Sequence, residues 1–169
     1  RSKSLKEFVN NFRSVNKIPE PNMEKMDISK LVEDLVPLYV KELEKEAIQL
    51  KVNVPSQYIY PDRNLTQQVL INLVKNGAEA MSNMKERKLI ELSMSRDGHR
   101  LVHLHIRDTG SGISQDEIDQ IFIPFFSTKT GGSGIGLSIS KQIMQKQKGD
   151  INVQSEPGKG SIFTLSFTC

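Results

Sequence analysis

A chain of 169 residues has room for one domain, or for one domain with a remnant of a second. Hydrophobic residues at 37% and charged residues at 25% describe a globular protein and exclude a disordered one, and no apolar run is long enough to span a bilayer. The formal net charge is +3, but lysines and acids are interspersed and no basic stripe alternates with aromatics, which argues against a nucleic-acid partner.

The single cysteine, Cys169, forms no internal disulfide or cysteine metal cluster, and a reducing cytoplasm fits it. The chain starts at Arg1 with neither methionine nor a signal-peptide pattern, so the expectation is a segment of a larger protein. Whether that parent is anchored in the inner membrane is a separate matter.

Leu5, Phe8, Val9, Phe12 and Val15 recur at helical spacing, a narrow stripe of the kind that packs in a bundle. Ile18-Pro-Glu-Pro21 breaks that helix and favours an extended connector, so the expected division is 1–20 and 21–169. Helical patterning resumes from Ile28 or Ser29 to about Ala47, with Leu31, Leu35, Leu38 and Leu43 on or near one face. Ser29 is the candidate N-cap and Pro37 a candidate kink. Gln49 to Val54 and Gln57 to Tyr60 read as short strands, and Pro61-Asp62 opens a long helix to about Met84. Ile90, Leu92 and Met94, then Val102, Leu104 and Ile106, alternate on either side of the Asp97-Gly98 turn. Ile151 and Val153, then Phe163, Leu165 and Phe167, repeat this around Pro157-Gly158. Such alternation implies one buried and one wet face, hence a two-layer α/β sandwich: a mixed sheet covered on one side by helices. Between Thr109 and Gly134 only Gln115 to Ile121 looks helical, and loops that long in compact domains are usually functional or disordered.

The helix after Asp62 carries Gln68, Asn72, Asn76, Glu79 and Asn83 on one face, opposite Val69, Leu70, Leu73 and Met81. A solvated face would produce such a line, but it usually favours lysine and glutamate, whereas asparagine is a poor helix former. An amide oxygen is a good hard ligand for Mg²⁺, which takes its remaining ligands from water and phosphates. Asp108 follows a strand and precedes Thr109-Gly-Ser-Gly112, where a flat ligand can approach the backbone closely. Its carboxylate could accept the adenine amino proton and reject the guanine carbonyl. An ordinary aspartate-glycine turn has the same letters, as do the aspartic proteases. A protease needs a second such aspartate, which this chain lacks, and Arg107 favours an ionised acid if it comes close. Gly131-Gly-Ser-Gly-Ile-Gly136 feeds a helix N-terminus, whose free N–H groups suit phosphate oxygens. It is neither a Walker pattern nor a dinucleotide fingerprint. Lys129 is either a cation for the terminal phosphate or a surface lysine. His99, His103 and His105 lack a completing ligand and read as solvated.

Taken together these residues carry a family resemblance. Asn72-Leu-Val-Lys-Asn76-Gly-Ala-Glu-Ala80 resembles the asparagine box of the sensor histidine kinases, and Asp108-Thr-Gly-Ser-Gly112-Ile113 their first glycine box. Phe122-Ile-Pro-Phe-Phe-Ser-Thr-Lys129 resembles their phenylalanine box, and Gly132-Ser-Gly-Ile-Gly-Leu137 and Gly158-Lys-Gly-Ser161 the remaining glycine boxes. The resemblance implies the Bergerat fold, shared with gyrase, the heat-shock chaperone ATPases and the mismatch-repair ATPases. It implies ATP and Mg²⁺ as cofactors, with Asn76 on the metal, Asn72 in support, Asp108 on adenine and Ser161 reaching adenine through water. The expected catalytic set is Asn72, Asn76 and Lys129. The expected nucleotide contacts add Asp108, Gly110, Gly112, Ile113, Thr128, Gly132, Gly134, Ile135, Gly136, Leu137 and Ser161. Gly77 stands where the family usually has alanine, at a cost of about 1 kcal/mol in helix propensity.

The hydrolase relatives place a water-activating glutamate four residues before the metal-binding asparagine. Here that position is Asn72, which cannot act as a general base at neutral pH. Phosphate is therefore expected to pass to a neutral histidine, which attacks without a base. The family's acceptor sits in a His-acid-x-x-Thr/Asn-Pro context, which no histidine of this chain has. The expected acceptor is thus a histidine on an upstream dimerisation hairpin, whose second helix would end in the Leu5 to Val15 stripe. The implied partners are ATP or ADP, that acceptor domain and a response regulator, in a homodimeric parent. An ATPase switch of the gyrase type and a binding-only module are the alternatives.

Overall fold

The computed structural model describes residues 18–98, 100–129 and 132–169; the stripe from Leu5 to Val15, His99 and Gly131 lie outside the described residues. Strand β1 (Met26–Asp27) leads into helix α1 (Ile28–Lys45), followed by β2 (Ile48–Asn53), β3 (Tyr58–Ile59) and helix α2 (Arg63–Ala80). Then come β4 (Lys88–Asp97), β5 (Leu101–Asp108), the single turn α3 (Gln115–Ile118), α4 (Gly136–Lys146), β6 (Asp150–Glu156) and β7 (Gly160–Thr168). The main sheet has the order β2-β4-β5-β7-β6, with β2 parallel to β4 and all other neighbours antiparallel.

Alternation decides which side is covered. Ile90, Leu92, Val102, Leu104, Ile106, Ile151, Phe163, Leu165 and Phe167 all point inward and are buried. Ile28, Leu31 and Leu35 of α1, Val69, Leu70 and Leu73 of α2, and Ile139, Ile143 and Met144 of α4 join them in one core. The result is a two-layer α/β sandwich with a mixed, mainly antiparallel sheet. On the open face His103 Nδ1 lies 2.9 Å from Ser166 Oγ, and His105 Nδ1 lies 2.9 Å from Thr164 Oγ1. These two histidines are thus half-buried and bonded to cross-strand hydroxyls rather than simply solvated. Among the described residues no group of three or more metal-binding side chains occurs.

Local details depart from the sequence expectation. The cap of α1 is Asp27, not Ser29: Asp27 Oδ1 accepts from the Ser29 N–H at 2.9 Å and from Ser29 Oγ at 2.8 Å. A further hydrogen bond from Ser56 Oγ is the main reason the Asp27 carboxyl is held down at about 2, with burial pulling the other way. Leu38 is 64% exposed, off the buried face that Leu31, Leu35 and Leu43 form on α1, and α1 runs unbroken through Pro37. The strand expected from Gln57 to Tyr60 is only Tyr58–Ile59, pairing with β1 instead of the main sheet. Helix α2 ends at Ala80, and the next residues to Met84 form turns, with Met84 N–H donating to Met81 O at 3.1 Å.

The segment entering at Ile18 is bound to the ends of two helices. Lys146 Nζ, in the last turn of α4, donates to Ile18 O at 2.9 Å and to Glu20 Oε1 at 3.0 Å. Asn22 N–H donates to Asp62 Oδ2 at 2.8 Å. Asp62 caps α2 through Leu65 N–H at 2.9 Å, and its own N–H donates to Gln147 Oε1 at 2.5 Å.

Candidate functional site

Helix α2 turns Asn72, Asn76 and Glu79 toward a cavity of about 1000 Å³, which Asn83 also lines from the turn after the helix, within the range of small-molecule sites. Gln68, the first residue of that polar line, does not reach it. The far wall is the chain around Phe126 to Lys129 and Gly132 to Leu137, and the closed end is formed by β5 and β7.

At the closed end Asp108 is only 5% exposed. The Gly110 N–H donates to its Oδ1 at 2.8 Å. Burial pushes the carboxyl up from the ordinary aspartate value, opposed by the backbone N–H groups of Gly110 and Ser161 and by the charge of Lys129. Arg107, expected to bear on this acid, is exposed because neighbouring residues of a strand face opposite ways. Two glycines let the strand ends and loops interlock here. Gly112 has φ 71 and Gly160 has φ 82. A Cβ on Gly112 would come within 2.0 Å of Glu156 O, and one on Gly160 within 2.0 Å of Asp108 O. Ser155 ties the same corner: its Oγ accepts from Ile113 N–H at 2.8 Å, donates to Gly160 O at 2.9 Å and lies 2.9 Å from Ser161 Oγ. Gly77 faces this corner from α2, where a Cβ would stand 3.2 Å from the Asp108 Cβ. The small residue thus serves close helix-to-strand packing.

Toward the other end Asn72 joins two helices. Its Nδ2 donates to Ser140 Oγ at 3.0 Å, and Ser140 Oγ donates to Gly136 O at 2.9 Å. A Cβ at Gly136 would be 2.3 Å from Asn72 Oδ1, so the first turn of α4 packs directly on this amide. Asn76, one turn further along α2, lines the cavity, and its side-chain amide has no hydrogen-bond partner among the described residues. A half-buried neutral amide facing polar space suits a hard cation. With no acidic or histidine cluster among the described residues to complete a cage, that cation would take its other ligands from water and phosphate.

Of the other expected contacts, Ile113, Thr128, Lys129, Gly132, Gly134, Leu137 and Ser161 line the cavity. Gly110 lies behind Asp108, and Ile135, 8% exposed, is part of the core. Sequence reasoning missed Ser140 and Ser155, whose partners are 68 and 42 residues away and leave no local signal. It also missed the apolar walls Met84, Ile121, Phe126 and Phe163, of which Phe163 was recognisable as inward-facing from strand alternation.

Residues 61–168 match the family described as histidine kinase-, DNA gyrase B-, and HSP90-like ATPase. The chain belongs to that family. Among curated members it is similar to sensor histidine kinase ZraS of Escherichia coli (strain K12), with 35% identity over 147 residues covering 85% of this chain and 30% of the relative. The chain therefore spans less than a third of that relative's length. The catalytic domain of histidine kinase ThkA superposes with a TM-score of 0.77 at 27% identity, covering 87% of this chain and 95% of that one. Full-length ShkA, solved in complex with AMPPNP, gives 0.82 at 24% identity, covering 98% of this chain and 36% of that one, and so shows the shared fold. This member of the ATPase family is an ATP-binding domain of the histidine-kinase catalytic type.

Proposed function

We propose that the chain is the catalytic part of a two-component sensor histidine kinase, binding ATP and presenting its terminal phosphate to a histidine on another domain. The observation that carries this reading is the pairing, within one cavity, of the buried Asp108 carboxyl at the closed end with the unpartnered Asn76 amide further along α2. Asp108 accepts the adenine amino proton, while Gly110 and Ser161 N–H groups keep its oxygens oriented. Asn76 would hold Mg²⁺, which when bound neutralises charge on the phosphate oxygens. Asn72 donates its Nδ2–H to Ser140, which holds the side chain against α4, and a neutral amide is not basic enough to take a proton from water. Gly134 and Gly136 leave backbone N–H groups at the start of α4 for phosphate oxygens, whereas the Gly132 N–H donates to Lys129 O at 3.1 Å.

Among the described residues both histidines, His103 and His105, belong to the open face of the sheet, away from this cavity. The phosphate acceptor is accordingly a histidine on an upstream hairpin, and the split into 1–20 and 21–169 belongs to the same proposal. ThkA has been solved with response regulator protein TrrA. A response regulator downstream of a dimeric, cytoplasmic kinase core is the corresponding expectation here. No helix among the described residues is long and apolar enough to cross a membrane.

The test is to incubate the domain with labelled ATP, Mg²⁺ and a separate histidine-bearing hairpin. Acid-labile, alkali-stable label on the hairpin is the expected result. Steady release of free phosphate would mean an ATPase switch, and neither product would mean a binding module.

A further inference from the structure

Glu79 lies three residues beyond Asn76 on α2 and faces the same cavity, yet the ATP reading gives it no task. Its Oε2 is 2.7 Å from Lys129 Nζ, a contact between α2 and a residue 50 positions later in the phenylalanine-box loop. Its Oε1 is 4.0 Å from Lys75 Nζ, and Lys75 lines the cavity too. One carboxylate therefore stands between two cations where a polyphosphate would be bound. The Lys129 and Glu79 side chains are 42% and 43% exposed, so water screens the pair and it adds little to stability. Weakness of this kind makes the contact exchangeable. A phosphate oxygen is a better acceptor for an ammonium than a half-solvated carboxylate, because the triphosphate carries several negative charges and Glu79 one.

We propose that Glu79 is a positioning residue that stands in for the terminal phosphate. It holds Lys129 against α2 in the nucleotide-free domain, and ATP binding exchanges carboxylate for phosphate on that ammonium. The proposal rests on the ATP reading of the cavity. It explains why an acid occupies a helix face that otherwise offers neutral amides and Lys75 to an anionic ligand, a placement that repulsion alone would disfavour. Releasing Lys129 from Glu79 is part of the cost of ATP binding, whereas adenosine, having no phosphate, leaves the pair intact.

Calorimetric titrations with ATP and with adenosine test this on the wild-type chain, Glu79→Gln, Glu79→Asp, Lys129→Ala and Glu79→Gln combined with Lys129→Ala. Glutamine keeps the helix propensity, so α2 should be undisturbed. Glu79→Gln is expected to raise ATP affinity roughly two- to fivefold and leave adenosine unchanged, as loss of an exposed ion pair predicts. The gain should vanish when Lys129 is already alanine. Glu79→Asp, too short to keep the contact, should behave like Glu79→Gln. A gain that persists without Lys129 would overturn the exchange in favour of plain charge repulsion, and no gain at all would make the pair a surface contact. A wild-type chain that binds adenosine but not ATP would instead remove the phosphate reading on which the proposal stands.

Discussion

The two ends of the cavity are built in opposite ways. Around Asp108 the frame is mostly backbone: the Gly110 N–H and the Gly112 and Gly160 turns, where the two glycines leave no room for a side chain, are tied together by the Ser155 hydroxyl. Around Asn76 the walls are side chains on a helix and a loop, half-exposed, joined by the Glu79 to Lys129 pair. A rigid slot suits a flat, uncharged ring, which gains from a preformed shape. Exchangeable contacts suit a flexible, charged tail, whose arrival has to displace something.

The largest effect should come from breaking the rigid end. Gly160→Ala forces a Cβ onto a backbone oxygen at positive φ, and is expected to cost about 3 kcal/mol of unfolding free energy. Adenosine and ATP binding should disappear together; denaturant melts and calorimetry check both. Next is Asp108→Asn, which removes a charged acceptor without changing shape. It should weaken adenosine and ATP alike by about 1.5–3 kcal/mol, and unchanged affinity would take Asp108 out of the pocket. Asn76→Ala sharpens the contrast from the other end. Mg-ATP binding should fall roughly tenfold while metal-free adenosine barely changes, and equal losses would make Asn76 structural.

The smallest effect lies outside the cleft, at the cap of α1. The Asp27 carboxyl is held down at about 2 in the folded protein from an ordinary 3.8, so its contribution is full above about pH 4 and is lost as pH falls toward about 2. Asp27→Ala should cost about 1 kcal/mol at neutral pH, with the difference closing in acid and no change in the ratio of ATP to adenosine affinity. Thermal melts from pH 2 to 6 would show a constant gap if the cap were not titrating.

The contrast between the two ends also governs what could be read from the chain. Inward residues such as Leu104 and Leu165 follow from period-two alternation, because burial of one sheet face forces it. The asparagine pair and Asp108 were legible because their residue types are unusual for their positions. Leu38 stands near the buried stripe by spacing alone, but it lies at the edge of that face and is exposed. β1 could not be read, since a two-residue strand has no period and exists only by pairing with Tyr58–Ile59. The contacts of Ser140 with Asn72, Ser155 with Ile113 and Lys129 with Glu79 are long-range, and only the folded chain brings them within reach.

One consequence follows from how α4 is moored. Its first turn is packed on Asn72, and its last turn grips Ile18 and Glu20 through Lys146. An eleven-residue helix is a stiff rod about 16 Å long. A tilt of that rod at the glycine-rich end moves Lys146 relative to the incoming polypeptide, so it is felt at both extremities.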